Sequence, residues 1–337
     1  MNFWQTIKRP PWRTVIAGAG VLLCLFAGYS IWSPGLDVRD GRHDQGRNGI
    51  WISHGWFAED KWFSRSAGSN QLERYREPRH IQELASLLRN HHVTDVFPHL
   101  CPAEMNGRLP DVSSNQVETF LDNFSGFRVM PWIGGPNGSS VLLRDAKWRS
   151  GFARSILELL TAHPRLAGIH LNVEPLPDGD TNFLVLLDEL RTALPKGKLI
   201  SVAAYPPPTR WQPAEDVHWS ENFFRQVARR SDQLAVMMYD TAVRVPKLYQ
   251  RLMAGWTEEV LRWSEGTPVL LGVPTYDDTG VEYHIPRVEN LVNALLGIHR
   301  GLSGHELPAN YQGVAIYCEW ETDTNEWLYF HDHFMKP

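Results

Sequence analysis

Segment 167–175, AGIHLNVEP, is an apolar run interrupted by a polar side chain at every second position. In an extended strand successive side chains point to opposite faces, so His170, Asn172 and Glu174 share one face. A carboxyl group at the end of such a row, beside neutral neighbours and away from bulk water, has its pKa raised towards the value a general acid needs. Glu174 is therefore the candidate proton donor, with Asn172 beside it as a hydrogen-bonding group. A lone glutamate at a strand end can equally form an ordinary salt bridge to a loop, so the chemical reading depends on what surrounds it.

The row needs a fold that covers the other face of its strand. Short apolar runs and longer stretches of helical period alternate from residue 49 to the end, the pattern of parallel βα units. Strands are expected at 49–56, 93–100, 128–133, 168–174, 199–205, 234–240, 268–274 and 313–320. Between them apolar residues recur at helical spacing, as in Trp148, Phe152, Ile156 and Leu160, or Phe183, Leu187, Leu190 and Leu194. Eight such units, ending in a helix near 327–334, favour a closed (β/α)8 barrel over an open doubly wound sheet.

A barrel covered by outer helices turns period-two polar residues into its lumen, and its βα loops build the site at the carboxyl ends of the strands. Those ends are rich in aromatic and polar residues: His54, Trp56, Trp132, Glu174, Tyr205, Tyr239, Asp240, Tyr276, Asp277, Glu319 and Trp320. Aromatic faces stack on sugar rings and carboxylates bind hydroxyls, so this lining, with His170 below Asn172, suggests a carbohydrate cleft. Some of the tryptophans will instead pack between barrel and helices. Loops 57–78 and 101–114 would set the substrate length the cleft accepts.

The remainder of the chain narrows the options. Of the 337 residues 43% are hydrophobic, enough for one large domain, and a net charge of −5 with no basic run after residue 13 disfavours nucleic acid. Residues 15–32, VIAGAGVLLCLFAGYSIW, carry no charge and at about 1.5 Å per residue nearly match a ~30 Å hydrocarbon layer. They are expected to be a transmembrane anchor. With Lys8, Arg9 and Arg13 ahead of it, the anchor would leave residues 1–14 in the cytoplasm and the barrel in the periplasm or outside, most naturally at a bacterial inner membrane. Polar, glycine-rich residues 33–48 read as a linker, so the barrel is placed at 49–337. Cys101 and Cys318 are expected as free thiols rather than a bridge, and His91, His92, His99, His331 and His333 form no metal-ligand spacing. Neither metal nor cofactor is expected.

Segment 167–175 resembles the signature strand of the family 18 glycoside hydrolases, D-G-x-D-x-D-x-E, with Glu174 on the glutamate that protonates the leaving oxygen and Gly168 on the glycine. Ala167, His170 and Asn172 stand where the signature has aspartates. Met237, Met238, Tyr239 and Asp240 resemble the family's M-x-Y-D motif, segment 272–276 its G-x-P-x-Y stretch, and segment 313–320 its G-V-M-x-W stretch. The resemblance implies a barrel in which Asn172, Tyr239 and Asp240 position a 2-acetamido group whose carbonyl oxygen attacks the anomeric carbon. It also implies an aromatic floor at Tyr317 or Trp320. An Asn-x-Glu pair occurs in family 85 endo-N-acetylglucosaminidases, which use the same assistance.

The expected function is thus hydrolysis of a periplasmic or cell-surface polysaccharide by a membrane-anchored glycosidase. Two alternatives stay open: a two-carboxylate mechanism on a non-acetylated sugar, with Asp240, Asp277 or Glu319 as nucleophile, and a glycan-binding protein without catalysis.

Overall fold

The computed structural model describes residues 12–57, 72–136, 138–210, 217–278, 280, 283–304 and 306–336. The chain forms two compact units, Met1–Pro34 and Gly35–Pro337.

The first unit contains one helix, Trp12–Ile31, whose apolar side chains, among them Leu22, Leu23 and Phe26, are exposed. Among the described residues no helix is long and apolar enough to cross a membrane. The transmembrane segment expected at 15–32 is not supported, and Lys8 and Arg9, which were to orient it, lie outside the described residues.

In the second unit nine parallel strands form one sheet: β1 (Asn48–Ile52), β2 (Val93–Pro98), β3 (Arg128–Val129), β4 (Trp132–Ile133), β5 (Gly168–Leu171), β6 (Leu199–Ala204), β7 (Gln233–Val236), β8 (Val269–Pro274) and β9 (Tyr311–Tyr317). Their order is β3-β2-β1-β9-β8-β7-β6-β5-β4. β3 and β4 are halves of the single expected strand 128–133, divided at Pro131, which has no N–H for the ladder. The sheet order therefore begins and ends on the same piece of chain. Hydrogen bonds from Met130 N to Val96 O and from His170 N to Pro131 O bridge the division on its two sides. The sheet curls round on itself as in a (β/α)8 barrel.

One long helix follows each strand segment: Pro78–Asn90, Ser114–Asn123, Ala146–Ala162, Thr181–Ala193, Glu221–Ala228, Pro246–Trp263, Leu291–Leu302 and Thr324–His333. Side-chain caps from Asp145, Asp180, Ser220 and Asn290 satisfy amides of first turns, and Asp323 with Glu326 makes a reciprocal capping box. The apolar stripes read from the sequence face the strands; Trp148, Phe152, Ile156 and Leu160 are all buried.

Several strands stop earlier than their apolar runs suggest. β1 ends at Ile52 because His54–Phe57 coils into a helical turn, so His54 and Trp56 are not at a strand end. β5 ends at Leu171 and β7 at Val236, where single bonds such as Asn172 N to Ile133 O continue the register towards the mouth. Asn172, Glu174, Tyr239 and Asp240 thus sit on backbone just beyond the ladder.

Residues 35–48 are not a free linker. Leu36 N bonds Leu296 O, Arg300 bonds Gly35 O, Gly41 abuts the Lys336 backbone, and Val38, His43 and Asp44 are buried. The stretch is a strap packed on the barrel. Composition hid this, because its contacts are made by backbone and imidazoles rather than by apolar side chains.

The lumen is filled in layers. At the amino ends of the strands Asp95 receives a two-point ion pair from Arg128, 2.5 and 2.6 Å, and a bond from Gln233, which also reaches Gln312. Above it Trp51, Phe97, Met130, Ala235, Leu270 and Ala315 form an apolar plug. Cys101 and Cys318 are free thiols.

Candidate active site

At the carboxyl ends of the strands lies a cleft of about 950 Å³. Of the residues expected there, Trp132, Asn172, Glu174, Tyr205, Tyr239, Asp240, Tyr276, Tyr317 and Trp320 line it. Five others do not. His170 lies one layer lower, fully buried, accepting from Trp51 Nε1 (3.0 Å), facing Ser201 Oγ (2.9 Å) and stacked on Phe97. Burial holds its pKa down to about 3, so it is a neutral lumen residue rather than a sugar ligand.

Glu319 is turned away to accept from Trp56 Nε1 (3.0 Å) and Ser53 N (3.4 Å), which accounts for Trp56 as well. The His54 ring lies against that of His99 at a tilt of 44°, and its Nε2 is 3.1 Å from Cys101 O. Asp277 is exposed, its amide bonded to Glu321. These four follow the last strand residue, where alternation no longer decides which way a side chain points. Loop 57–78 lies largely outside the described residues.

Glu174 is open to the cleft on one side and surrounded by protein on the others. The enclosing protein raises its pKa and neighbouring Asp240 adds to that, while hydrogen bonds from Asn172 and from Tyr205 oppose it. The phenol of Tyr205 is 3.5 Å from Glu174 Oε1. A carboxyl group so placed retains its proton above the ordinary glutamate range. Asn172 spends its amide N–H on Glu174, and among the described residues its buried Oδ1 has no partner. Trp132 Nε1 is likewise buried and unpartnered. Both residues line the cleft, so one acceptor and one donor lie buried and unsatisfied just behind its wall, a costly state.

Tyr317 is the centre of an aromatic cluster at the cleft. Tyr317 stacks on Tyr239 (5.3 Å between ring centres) and meets Trp51, Trp132, Tyr276 and Trp320 edge-on. Trp320 is 40% exposed and forms the rim. Burial raises the Tyr239 hydroxyl well above the ordinary phenol range, so it acts as a neutral donor.

Asp240 is held from behind. It accepts from the Tyr276 hydroxyl, lies 3.2 Å from His284 Nδ1, and adopts φ +62°, a conformation that non-glycine residues rarely keep outside functional sites. His284 and Glu289 had no sequence signal: they lie on the long connection after β8, with no periodicity tying them to Asp240. Trp51 and His218 were also missed among the site residues. Of the carboxylates weighed as a second catalytic acid, only Asp240 reaches the cleft.

The family model for glycosyl hydrolases family 18 matches residues 90–286, a stretch that contains the row on β5 and both Tyr239 and Asp240. No curated protein matches the chain by sequence. Among solved structures, a chitinase from Chromobacterium violaceum is similar at TM-score 0.56 and 14% identity, over 86% of this chain and 100% of that one. A chitinase from Rhizomucor miehei gives TM-score 0.54 and 15% identity over 86% and 99%. The spore cortex-lytic enzyme SleL of Bacillus cereus gives 0.54 and 12% over 86% and 75%. At such identities the likeness speaks for the fold alone.

Proposed function

Because the chain belongs to glycosyl hydrolases family 18 and is thereby a glycoside hydrolase of chitin-like polysaccharide, we propose that it cleaves bonds next to 2-acetamido sugars by substrate assistance. Glu174 donates its proton to the leaving oxygen. Asn172 Oδ1 accepts the acetamide N–H, the Tyr239 hydroxyl donates to the acetamide oxygen and holds it against the anomeric carbon, and Asp240 helps to position the acetamido group. Water then opens the oxazolinium, with Glu174 returning as base.

The observation carrying this reading is the unpartnered Asn172 Oδ1 beside Glu174. An amide hydrogen supplied by the sugar would satisfy it, whereas a sugar with a plain hydroxyl at C2 gives a less directed donor. Asparagine lacks the charge of the aspartate in the family signature, so the intermediate is stabilised by dipoles and by Asp240.

The test is product release, followed by mass spectrometry, from a panel of N-acetylated and non-acetylated glycans. Cleavage confined to acetamido sugars is expected. Turnover of plain glucans would instead support a two-carboxylate mechanism, and binding without any cleavage would point to a glycan-binding role. Within this reading Asn172→Ala should lower kcat on acetamido substrates by about 10²–10³-fold with little change in KM, since the bond it makes strengthens as charge develops. A loss confined to KM would remove assistance from Asn172.

The reading includes a location. The exposed apolar side chains of helix Trp12–Ile31 suit contact with lipid, and that helix would keep the enzyme at the outer side of an inner membrane, near periplasmic or cell-surface polysaccharide. Full-length protein should sediment with membranes after alkaline carbonate washing, and residues 37–337 should remain in the supernatant. Equal partitioning of the two would remove the membrane from the proposal.

A further inference from the structure

Behind the cleft a histidine and two carboxyl side chains converge. His284 Nδ1 lies 3.2 Å from Asp240 Oδ1 and 3.8 Å from Glu289 Oε2, and the donor atoms of all three residues fall within 4.8 Å of one another. His284 is 2% exposed and Glu289 fully buried. Among the described residues Glu289 Oε1 has no hydrogen-bond partner, and His284 Nδ1 faces only the two carboxyl groups. A buried carboxyl group beside a second one at the cleft edge is balanced by a proton or by a cation.

Each of the three is oriented by a separate bond. His284 donates Nε2–H to Tyr276 O at 2.9 Å, which leaves Nδ1 as the lone-pair nitrogen directed at the carboxylates. The Tyr276 ring stacks on the imidazole, and its hydroxyl donates to Asp240. Glu289 Oε2 accepts from Thr241 N at 2.9 Å. A histidine that donates its far nitrogen to a carbonyl, beside carboxylates each fixed by a donor, is the outer-shell arrangement of a metal site.

The geometry points to a divalent transition-metal site formed by Asp240, His284 and Glu289, with Zn²⁺ or Mn²⁺ as the cation. Ligand atoms on a tetrahedral zinc at about 2.1 Å lie roughly 3.4 Å apart, a value the two measured separations bracket. One nitrogen with two carboxylates suits borderline cations rather than Ca²⁺, which takes six or more oxygens. Asp240 opens on the cleft, so ion entry and a coordinated water are both accommodated. The ion fixes Asp240 in its left-handed backbone conformation and balances the buried carboxylate of Glu289.

The full chain, stripped with EDTA and checked for folding by circular dichroism, is titrated calorimetrically with ZnCl₂ and separately with MnCl₂. Wild type is expected to bind one ion saturably, with a melting temperature raised by the metal and lowered again by EDTA. Glu289→Gln, which keeps the shape but removes a ligand, should weaken binding by more than about 100-fold, and Tyr276→Phe, which removes only an orienting hydroxyl, by about 10–100-fold. Should Glu289→Gln fail to fold, Tyr276→Phe and the metal-dependent melting of wild type carry the test. Uptake equal in wild type and variants would mean surface histidines bind the ion. A wild-type melting temperature indifferent to both metals would mean a proton holds the cluster. Either result overturns the site.

Discussion

Replacing Glu174 by glutamine is expected to lower kcat on an acetamido-sugar oligomer by about 10²–10⁴-fold, the range for loss of a positioned general acid. Glutamine keeps the size of the side chain and an oxygen that can still accept from Asn172, so the fold and KM should be nearly unchanged. The pH profile supplies a second reading of the same role. Glu174 must carry its proton to act, and its pKa is raised above the ordinary 4.5, chiefly by burial. Activity should therefore persist at a pH where a solvated glutamate is ionised, then fall about tenfold per unit as pH rises beyond the raised pKa. The residual activity of the variant should lack that limb. A variant with normal kcat, or with the same alkaline limb, would remove Glu174 from proton transfer.

The largest expected effect on stability lies at the other end of the barrel. Asp95 is fully buried, paired with Arg128 through two bonds and approached by Gln233. Asp95→Ala strips one partner from a buried network and leaves a guanidinium and an amide facing an apolar plug. Breaking such a pair costs about 3–5 kcal/mol, and the lower end is expected because Arg128 retains partial contact with solvent, at 39% side-chain exposure. Urea unfolding should show a lower midpoint with an unchanged slope. A loss below about 1 kcal/mol would mean the layer is rebuilt by water. Replacing Asp95 and Arg128 together with apolar residues of similar volume should be far milder, since no charge is then left without its partner.

The same contrast between the two ends separates what could be read early from what could not. Periodicity places His170, Asn172 and Glu174 on one face, and the structure keeps them there. It does not say that His170 is sealed beneath the plug while Asn172 and Glu174 open on the cleft, because depth in a barrel depends on strand tilt and on seven other strands. His54, Trp56, Asp277 and Glu319 resemble site residues by type and position, yet each follows the last residue of its strand. There the path of the loop, rather than alternation, aims the side chain.

The chain by itself determined the alternating βα order, the outward apolar stripes with their caps, and the motifs around Glu174 and Asp240, since these are local patterns of period and residue type. Only the tertiary structure decided the strap at residues 35–48, the stacking of Tyr317 on Tyr239 beside the exposed Trp320, and the meeting of Asp240 with His284 and Glu289. Those arrangements join segments dozens to hundreds of residues apart through backbone bonds, stacking and single polar contacts. Such contacts leave no period in the sequence, and closure of the sheet alone brings their members within reach.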